Sequence, residues 1–309
     1  MKQKRLNLIL AVAVALLAAA VYFSQKKPPP KGPPLTALKA DQIDKITLHH
    51  AGQPDIVLQK NAGQWALTAP VQVAADPYQV NSLLDIASEE TKTWLKPQEV
   101  KLADLGLDPP GMSLTLNDVK IDFGGVEPLD FKRYVEVGGK IALIDDPPGT
   151  VLDADYSDLV SKSLLPPEAK LIKLALPGLT LTRSADGKSW SVDPPDPKAE
   201  SDAAQKLVDA WSNAQALWNA MTPADAKPAA HPETASLTLA DGHTLTFEIV
   251  SHEPQLVLER PDLKLRYSLS KEEDDKLFKL AQAKPQTSQN SAASDSAAKP
   301  APPGPPTKQ

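Results

Sequence analysis

An internal repeat constrains the fold of this chain more than any other feature of its sequence. Four short blocks recur in the same order, at offsets of 125, 124, 124 and 123 residues, so the register drifts by single residues as loop insertions would make it drift. The first copies are Gly63-Gln64-Trp65, Leu83-Leu84-Asp85, Trp94 and Ser113-Leu114-Thr115-Leu116, and the second copies are Gly187-Lys188-Ser189-Trp190, Leu207-Val208-Asp209, Trp218 and Ser236-Leu237-Thr238-Leu239. A repeat of this period predicts two copies of one fold, and about 120 residues are enough for each copy to hold a hydrophobic core.

The N-terminus carries a membrane signal. A basic stretch over residues 1–5 precedes residues 6–23, an apolar run of 18 residues whose only polar member is Asn7. At a rise of about 1.5 Å per residue this run extends about 27 Å, close to the bilayer core of about 30 Å. We therefore expect a transmembrane helix over residues 1–23 that anchors the chain in the inner membrane by a single pass. The alternative is a signal peptide cut after Ala20, and both readings place the body in the periplasm or outside the cell.

Segments of low complexity flank the body and set the predicted domain boundaries. Residues 24–40 form a proline-rich linker, in which proline favours the extended polyproline II conformation. Residues 283–309 are rich in proline, alanine and serine, and such a segment buries too little apolar surface to offset the entropy of ordering, so we expect disorder. The first repeat then occupies residues 41–166 and the second occupies residues 167–282.

Short apolar alternations bounded by turn residues predict strands in both copies. They lie at residues 43–48, 56–60, 65–67, 113–116, 120–123, 133–137 and 140–144, and at residues 171–176, 179–183, 190–192, 236–239, 244–249, 255–259 and 264–269. One main helix interrupts the strands of each copy, and short helices are expected near residues 155–163 and 271–282. Hairpins combined with one main helix predict an α+β fold, in which each repeat is a mostly antiparallel sheet packed on that helix.

The two main helices begin at acidic residues that can cap them. Asp76 is followed by Pro77 and Gln79, and Asp202 is followed by Gln205 at the same spacing, which is the pattern of a capping box. Apolar residues at helical spacing then predict the buried stripe of each helix. The first stripe contains Val80, Leu83, Leu84, Ala87 and Trp94, and the second contains Leu207, Trp211, Ala214 and Trp218.

Composition excludes several classes of function. The formal net charge is −6 and no dense run of lysine and arginine occurs in the body, so we expect no nucleic-acid partner. The chain has no cysteine, which rules out disulfides, thiolate metal sites and a cysteine nucleophile. The sequence also lacks a Gly-x-Ser-x-Gly motif and a glycine-rich phosphate loop, and we interpret Gly124-Gly125 and Gly138-Gly139 as turns at strand ends.

The histidines and carboxylates do not show the spacing of a metal site. His49 and His50 are adjacent on a predicted strand, so their side chains point to opposite faces, whereas His231, His243 and His252 lie near turns. Acidic residues cluster at 145–146 and 153–158 without the spacing of a calcium loop, and we interpret them as a solvated loop and helix caps. We therefore expect no cofactor, no metal and no enzymatic activity.

The order of these elements resembles the bacterial domain-of-unknown-function family 4340 (DUF4340). The residues that carry the resemblance are the Gly-x-Trp strand at Trp65, the capped helix, the block Leu105-Gly106-Leu107-Asp108-Pro109-Pro110 and the strand with Arg133-Tyr134-Val135. The likeness covers residues 41–150 well and the second repeat more weakly, since that repeat lacks the Leu-Gly-Leu-Asp-Pro block. The resemblance implies an N-terminal membrane helix and, for some members, a place beside auxiliary components of ABC transporters, including those of gliding motility. It implies no catalytic residue.

The same block supplies a candidate interaction surface. Gly106 is expected in the left-handed conformation that ends a short helix, and the prolines after Asp108 prevent the helix from restarting. The regions around Gly106, Asp108, Arg133 and Tyr134 distinguish the first copy from the second, so we expect a partner to contact these four residues. The tryptophans of the two Gly-x-Trp blocks are interpreted instead as core anchors on strands.

Three functions fit these observations. The main hypothesis is a membrane-anchored, extracytoplasmic, non-catalytic accessory or scaffold protein of an envelope complex, with an envelope partner such as an ABC transporter component. The second is a binding module that holds a glycan, peptide or lipid between the repeats, for which a deep groove lined by aromatic and convergent polar side chains would be the sign. The third is an envelope hydrolase, which would need two carboxylates facing each other across a cleft.

Overall fold

The computed structural model describes residue 14 and residues 32–283, except residues 97, 99, 148, 228, 229 and 231. The rest of the predicted anchor over residues 1–23, residues 24–31 of the predicted linker and residues 284–309 of the predicted tail therefore lie outside the described residues, as does His231. Within the described part, no helix is both long and apolar enough to cross a membrane.

The first half of the described chain forms an antiparallel sheet of nine strands. The strands are β1 (Lys45–His50), β2 (Ile56–Asn61), β3 (Gln64–Ala69), β4 (Val73–Ala74), β5 (Thr91–Leu95), β6 (Met112–Leu116), β7 (Val119–Val126), β8 (Lys132–Val137) and β9 (Lys140–Asp145). Their order across the sheet is β4-β3-β2-β1-β6-β7-β8-β9-β5.

The second half forms a separate antiparallel sheet of eight described strands. These are β10 (Leu171–Leu176), β11 (Leu179–Arg183), β12 (Trp190–Asp193), β13 (Trp218–Met221), β14 (Thr234–Leu239), β15 (Thr244–Ser251), β16 (Leu256–Arg260) and β17 (Leu265–Leu269). Their order is β12-β11-β10-β14-β15-β16-β17-β13, which matches the first sheet strand for strand once β4 is set aside. Mostly antiparallel sheets with few helices confirm the predicted α+β class.

Short helices complete the fold. They are α1 (Pro77–Asp85), α2 (Gly149–Leu152), α3 (Tyr156–Leu159), α4 (Ala203–Asn213) and α5 (Lys271–Phe278), with 3-10 turns at Ala40–Gln42, Ile86–Ser88 and Leu102–Leu105. The main helix of each half therefore lies where the sequence predicted it, between the third strand of its sheet and the edge strand β5 or β13. The apolar stripe of α1 is buried at Val80, Leu83 and Leu84.

The prediction that these stripes continue to Trp94 and Trp218 is wrong. Helix α1 ends at Asp85 and α4 ends at Asn213, and both tryptophans lie on edge strands that pair with the last strand of their own sheet. Threonine and tryptophan favour strands, and the pairing satisfies backbone groups that a longer helix would otherwise bond. Trp94 is consequently 40 % exposed and Trp218 is 45 % exposed.

The two helix caps differ. The Asp76 carboxylate accepts hydrogen bonds from the backbone N–H groups of Tyr78 and Gln79, as predicted, while the Asp76 N–H donates to the carbonyl of Leu159. The side chain of Asp202 does not cap α4, because it pairs with the Lys206 ammonium. The predicted capping box of the second helix is therefore wrong, and that of the first lacks its return bond.

The buried apolar residues of both halves form one contiguous cluster. The shared Ser-Leu-Thr-Leu block supplies equivalent core residues, because Leu114 faces Leu48 across β6 and β1, and Leu237 faces Leu174 across β14 and β10. All four leucines are fully buried. Sequence length allowed a separate core for each copy, and the structure instead joins the two sheets through packed side chains.

Candidate functional site

The four residues of the predicted interaction surface lie on and just after the turn Leu102–Leu105 and on β8 of the first sheet. Gly106 has a φ of 70° and ends the 3-10 turn Leu102–Leu105, which confirms the left-handed conformation expected from the sequence. Gly106 and Asp108 are both exposed, whereas Leu107 between them is buried. Whether a partner contacts this surface stays a prediction.

A close backbone approach joins this turn to β7. Gly124 lies so near the turn that a Cβ on it would overlap the carbonyl oxygen of Leu105. The guanidinium of Arg133 donates to the Gly124 carbonyl at 2.8 Å and also pairs with the Asp146 carboxylate. Gly106 and Arg133 therefore converge on the same stretch of β7. Gly124 lies inside this strand without a positive φ, so its interpretation as a strand-end turn is wrong, whereas the turn at Gly138-Gly139 is confirmed.

Tyr134 lies on the other face of β8. Because side chains alternate along a strand and Val135 is buried, Tyr134 shares the outer face with Lys132. On this face Lys132 and Lys92 both pair with Asp145. Hydrogen bonds from Lys132 and then Lys92 hold the pKa of Asp145 below its usual range. The structure therefore divides the four predicted surface residues between two faces.

The histidines and the acidic cluster have structural partners. His49 pairs with Asp55 at 2.6 Å and His50 contacts the Leu152 carbonyl at 2.7 Å, so the adjacent rings have separate partners, as the sequence predicted. Asp155 caps α3 in a capping box with Asp158, which confirms the reading of these carboxylates as caps. In the described ranges, no group of three or more histidine and acidic side chains could hold a metal ion.

A backbone seam connects the two sheets. Residues 159–164 run between the edge strand β4 and the chain that leads into β13. The N–H of Ser161 donates to the Ala74 carbonyl at 2.9 Å, and the Lys162 carbonyl accepts from Ala216 at 2.8 Å. The N–H of Leu164 then donates to the Ala214 carbonyl at 3.2 Å. We call residues 74–75, 159–164 and 214–216 the seam.

Two side chains hold the seam against the second sheet. The Tyr156 hydroxyl lies 2.9 Å from the carbonyl oxygen of Lys264 and 3.0 Å from that of Leu263. The Asn219 side-chain amide donates to the Val160 carbonyl at 2.9 Å. Tyr156 and Leu263 are 107 residues apart in the sequence, and Asn219 and Val160 are 59 residues apart. The seam is thus fixed from both sides.

A groove of about 670 Å³ lies over the seam, and we call it the inter-sheet groove. It is lined by Gly63, Gln64, Trp65, Ala74, Ala75, Asp76, Pro77, Tyr78, Ser161, Lys162, Ser163, Pro167 and Gln215. Its volume falls within the range of about 300–1,000 Å³ that is typical of small-molecule sites. Its lining comes from both halves of the chain, which is where the second hypothesis placed a binding site.

Two aromatic residues, Trp65 and Tyr78, are among those that line the groove. Trp65 on β3 is half-buried and packs against the core, as predicted, but it also lines the groove. Tyr78 in the first turn of α1 is 84 % exposed. Tyr78, Lys162 and Gln215 were not predicted from the sequence as site residues. The available signal for Tyr78 was its position in the first helical turn, outside the apolar stripe of α1.

The groove contains one carboxylate among its described lining residues, that of Asp76. This side chain is only 5 % exposed and its oxygen accepts from Tyr78 N–H at 2.8 Å and Gln79 N–H at 3.4 Å. Lys162 is the one basic residue among the described lining residues. The groove thus offers aromatic faces, amides, hydroxyls and one ammonium, with its carboxylate engaged in capping the helix.

The chain matches a known protein family. The family model described as Domain of unknown function (DUF4340) matches residues 65–236, which is more than half of the chain. The chain therefore belongs to this family, and the matched region runs from Trp65 in the first sheet to Ser236 in the second. No curated protein and no solved structure matches the chain.

Proposed function

We propose that this member of the DUF4340 family is a membrane-anchored, extracytoplasmic accessory or scaffold protein of an envelope complex, and that it acts by binding and not by catalysis. In this proposal residues 1–23 form a single-pass helix in the inner membrane and the two sheets face the periplasm or the exterior. An ABC transporter component is the partner class to test first, because the family resemblance implies it.

The observation that carries the non-catalytic role is the chemistry of the inter-sheet groove. Hydrolysis by paired carboxylates needs two acidic groups facing one substrate bond. The only carboxylate among the described lining residues is that of Asp76, and it serves as the N-cap of α1. The remaining polar side chains of the lining suit recognition, which argues against the hydrolase hypothesis.

The attachment of the linker supports a tethered role. The Pro33 carbonyl accepts hydrogen bonds from the backbone N–H of Thr91 at 2.9 Å and from its hydroxyl at 2.7 Å. The Gly32 N–H donates to the Glu90 carboxylate at 2.7 Å. The proline-rich segment therefore docks on the edge strand β5, and an anchor upstream of it would fix the orientation of the first sheet relative to the membrane.

The matching strand orders support a further part of the proposal, that the body is a tandem duplication. Eight strands of each sheet occupy equivalent places among the described residues, and the repeated Trp, Leu and Ser-Leu-Thr-Leu blocks fall on equivalent elements. The residues repeated in both copies are mainly core-forming residues and include no acid–base pair. This pattern fits a scaffold better than an enzyme.

The membrane topology can be tested with single cysteines, because the chain has none of its own. Ser201 is exposed in the turn before α4, so we expect a Ser201→Cys variant to react with a membrane-impermeant maleimide in intact spheroplasts. A Gln3→Cys variant should react only after the membrane is permeabilised. Protection of the cysteine at position 201 until lysis would overturn the extracytoplasmic placement.

The partner can be tested by photocrosslinking in native membranes. A photoreactive residue at Asp108 should form an adduct with an envelope membrane protein, whereas the same residue at Asp186, an exposed hairpin position of the second sheet, should not form that adduct. Identical adducts from both positions, or none from Asp108, would contradict the proposed surface.

The inter-sheet groove favours a second candidate function, a binding module for a glycan, peptide or lipid. Its volume of about 670 Å³ and the presence of Trp65 and the exposed Tyr78 in its lining are the features expected of such a site. The two functions are compatible, because the groove and the Asp108 surface involve different elements.

A further inference from the structure

We propose that the inter-sheet groove binds a short oligosaccharide, which stacks on Trp65 and Tyr78 and accepts hydrogen bonds from the amides of Gln64 and Gln215, while Lys162 contacts an acidic substituent of the sugar. This inference rests on the proposed role of the chain as a binding protein and names the ligand class of the groove.

The two copies of the repeated tryptophan show why the first one is suited to a ligand. Trp190 lies at the equivalent place on β12, and its indole N–H donates to the Gln205 side chain at 3.1 Å. The indole N–H of Trp65 has no acceptor among the described residues. An aromatic ring with a free polar edge presents an apolar face and a hydrogen-bond donor to one molecule. This is what a pyranose requires, since its C–H faces are apolar and its rim carries hydroxyls.

Tyr78 adds a second ring at low cost to the protein. It is 84 % exposed although it is a large aromatic residue, and it lies in the first turn of α1, which Asp76 holds in place. The backbone under the ring is therefore ordered before a ligand arrives. Only the rotamer of the tyrosine side chain then remains to be fixed on binding, which limits the entropic cost.

The polar groups of the groove are free to contact a ligand. The side-chain amides of Gln64 and Gln215 and the hydroxyl of Ser163 form no hydrogen bond with any residue that the structure describes. Lys162 forms no ion pair within 4 Å there, and its charge interacts with the Asp158 carboxylate at longer range. Amides both donate and accept hydrogen bonds, so they match the mixed donors and acceptors of sugar hydroxyls.

Other ligand classes fit the groove less well. A peptide that added a strand would need free backbone groups, but the seam under the groove uses those of Ser161, Lys162 and Leu164 for its own hydrogen bonds. A phosphate would find one lysine and no arginine in the lining, and the carboxylate of Asp76 already occupies the N-terminus of α1. A lipid chain would lie against the amides and hydroxyls of the lining, which an apolar chain cannot hydrogen-bond.

The experiment measures binding of defined sugars to the purified full-length protein in a detergent without a sugar headgroup. Chitotetraose, maltotetraose and trigalacturonic acid are titrated by calorimetry. We expect at least one to bind, and Tyr78→Ala to weaken its affinity by roughly three- to tenfold, because one aromatic contact is lost. Gln215→Ala should weaken the same probe, and Lys162→Met should weaken only the galacturonate.

Matched variants separate the groove from general effects. Trp65→Ala should abolish binding and Trp65→Phe should retain most of it, whereas Trp190→Ala, outside the groove lining, should leave affinity unchanged. Because Trp65 packs on the core, Tyr78→Ala and Gln215→Ala carry the decision if Trp65→Ala fails to fold. No binding of any of the three sugars at millimolar concentration, or binding that these two variants leave unchanged, overturns the proposal.

A lipid arm and the topology measurement keep the outcomes distinct. Vesicles of anionic phospholipid that bind the protein through Tyr78 would overturn the glycan assignment in favour of a membrane surface. Protection of the Ser201→Cys variant from labelling would overturn the extracytoplasmic role without changing a measured sugar affinity. Sugar binding that fails while the cysteine is labelled would overturn only the ligand assignment.

Discussion

Gly124 lies directly against the carbonyl of Leu105, and this contact fixes the Leu-Gly-Leu-Asp-Pro turn to the first sheet. A Cβ on Gly124 would overlap the Leu105 oxygen and would lie 3.0 Å from Cγ of Leu107, which is buried. Glycine is therefore required at position 124 by close packing, and not by a turn of the backbone.

We predict that Gly124→Ala lowers the free energy of unfolding by about 1–3 kcal/mol, because the added methyl group overpacks a contact made by backbone. Urea denaturation followed by circular dichroism measures the loss. Gly125→Ala is the matched control, since a Cβ there would lie 3.7 Å from the Leu105 oxygen, an ordinary van der Waals distance. Equal losses in the two variants would show that the Leu105 contact is not the cause.

A second prediction concerns Arg133, which holds the same region from the other side. Its guanidinium donates to the Gly124 carbonyl at 2.8 Å and to the Asp146 carboxylate, and a lysine ammonium cannot reproduce this fork of donors. Arg133→Lys should therefore cost about 1 kcal/mol of stability although it keeps the charge. Thermal unfolding measures the effect. Lys132→Arg serves as the control and should be nearly neutral, because Asp145 is the one ion-pair partner of Lys132 in the described part of the chain and arginine preserves this pair.

Sequence patterns predicted the elements whose signal is local. Strands β6 and β14, which carry the two Ser-Leu-Thr-Leu blocks, lie where the alternation of apolar and polar residues predicted them. β6 pairs with β1, and β14 pairs with β10. The cap at Asp76 and the left-handed Gly106 were also visible, because each depends on one residue and its near neighbours. The edge strands were missed, since Trp94 and Trp218 continue an apolar helical spacing and only pairing with β9 and β17 selects the strand.

The sequence suggested a groove between the repeats, but the residues that line it could not be predicted, for a different reason. The inter-sheet groove exists because residues 159–164 bond to Ala74 on one side and to Ala214 and Ala216 on the other, contacts that no local pattern records. The identity of its lining follows from that seam. Exposure of Tyr78 depends likewise on the direction in which α1 leaves its cap.

A third prediction tests the core of the second sheet. Trp211 on α4 is fully buried, its indole N–H donates to the Leu277 carbonyl at 2.7 Å, and its ring lies 5.9 Å from that of Phe247. Trp211→Phe leaves the carbonyl without its donor and opens a small cavity, so we expect a loss of about 2–4 kcal/mol. Chemical denaturation measures it. Trp218→Phe on the exposed edge strand should change stability by less than about 0.5 kcal/mol, and a similar loss there would contradict the assigned burial.

The last prediction is a pH dependence that arises from Tyr267. Burial raises the pKa of its phenol from 10.0 to about 12. The unfolded chain therefore releases this proton near pH 10 while the folded chain retains it, so the contribution to stability is complete below pH 10 and declines between pH 10 and pH 12. The slope from one such proton is about 1.4 kcal/mol per pH unit.

Tyr267→Phe removes this proton and keeps the ring, which lies 6.0 Å from that of Phe247. Urea denaturation of both proteins from pH 8 to pH 11.5 gives the difference in unfolding free energy, in which the titration of shared lysines cancels. We expect the stability of the parent protein to fall faster than that of the variant above pH 10. Parallel curves would mean that the phenol ionises equally in both states, and that the Tyr267 hydroxyl reaches solvent in the folded protein.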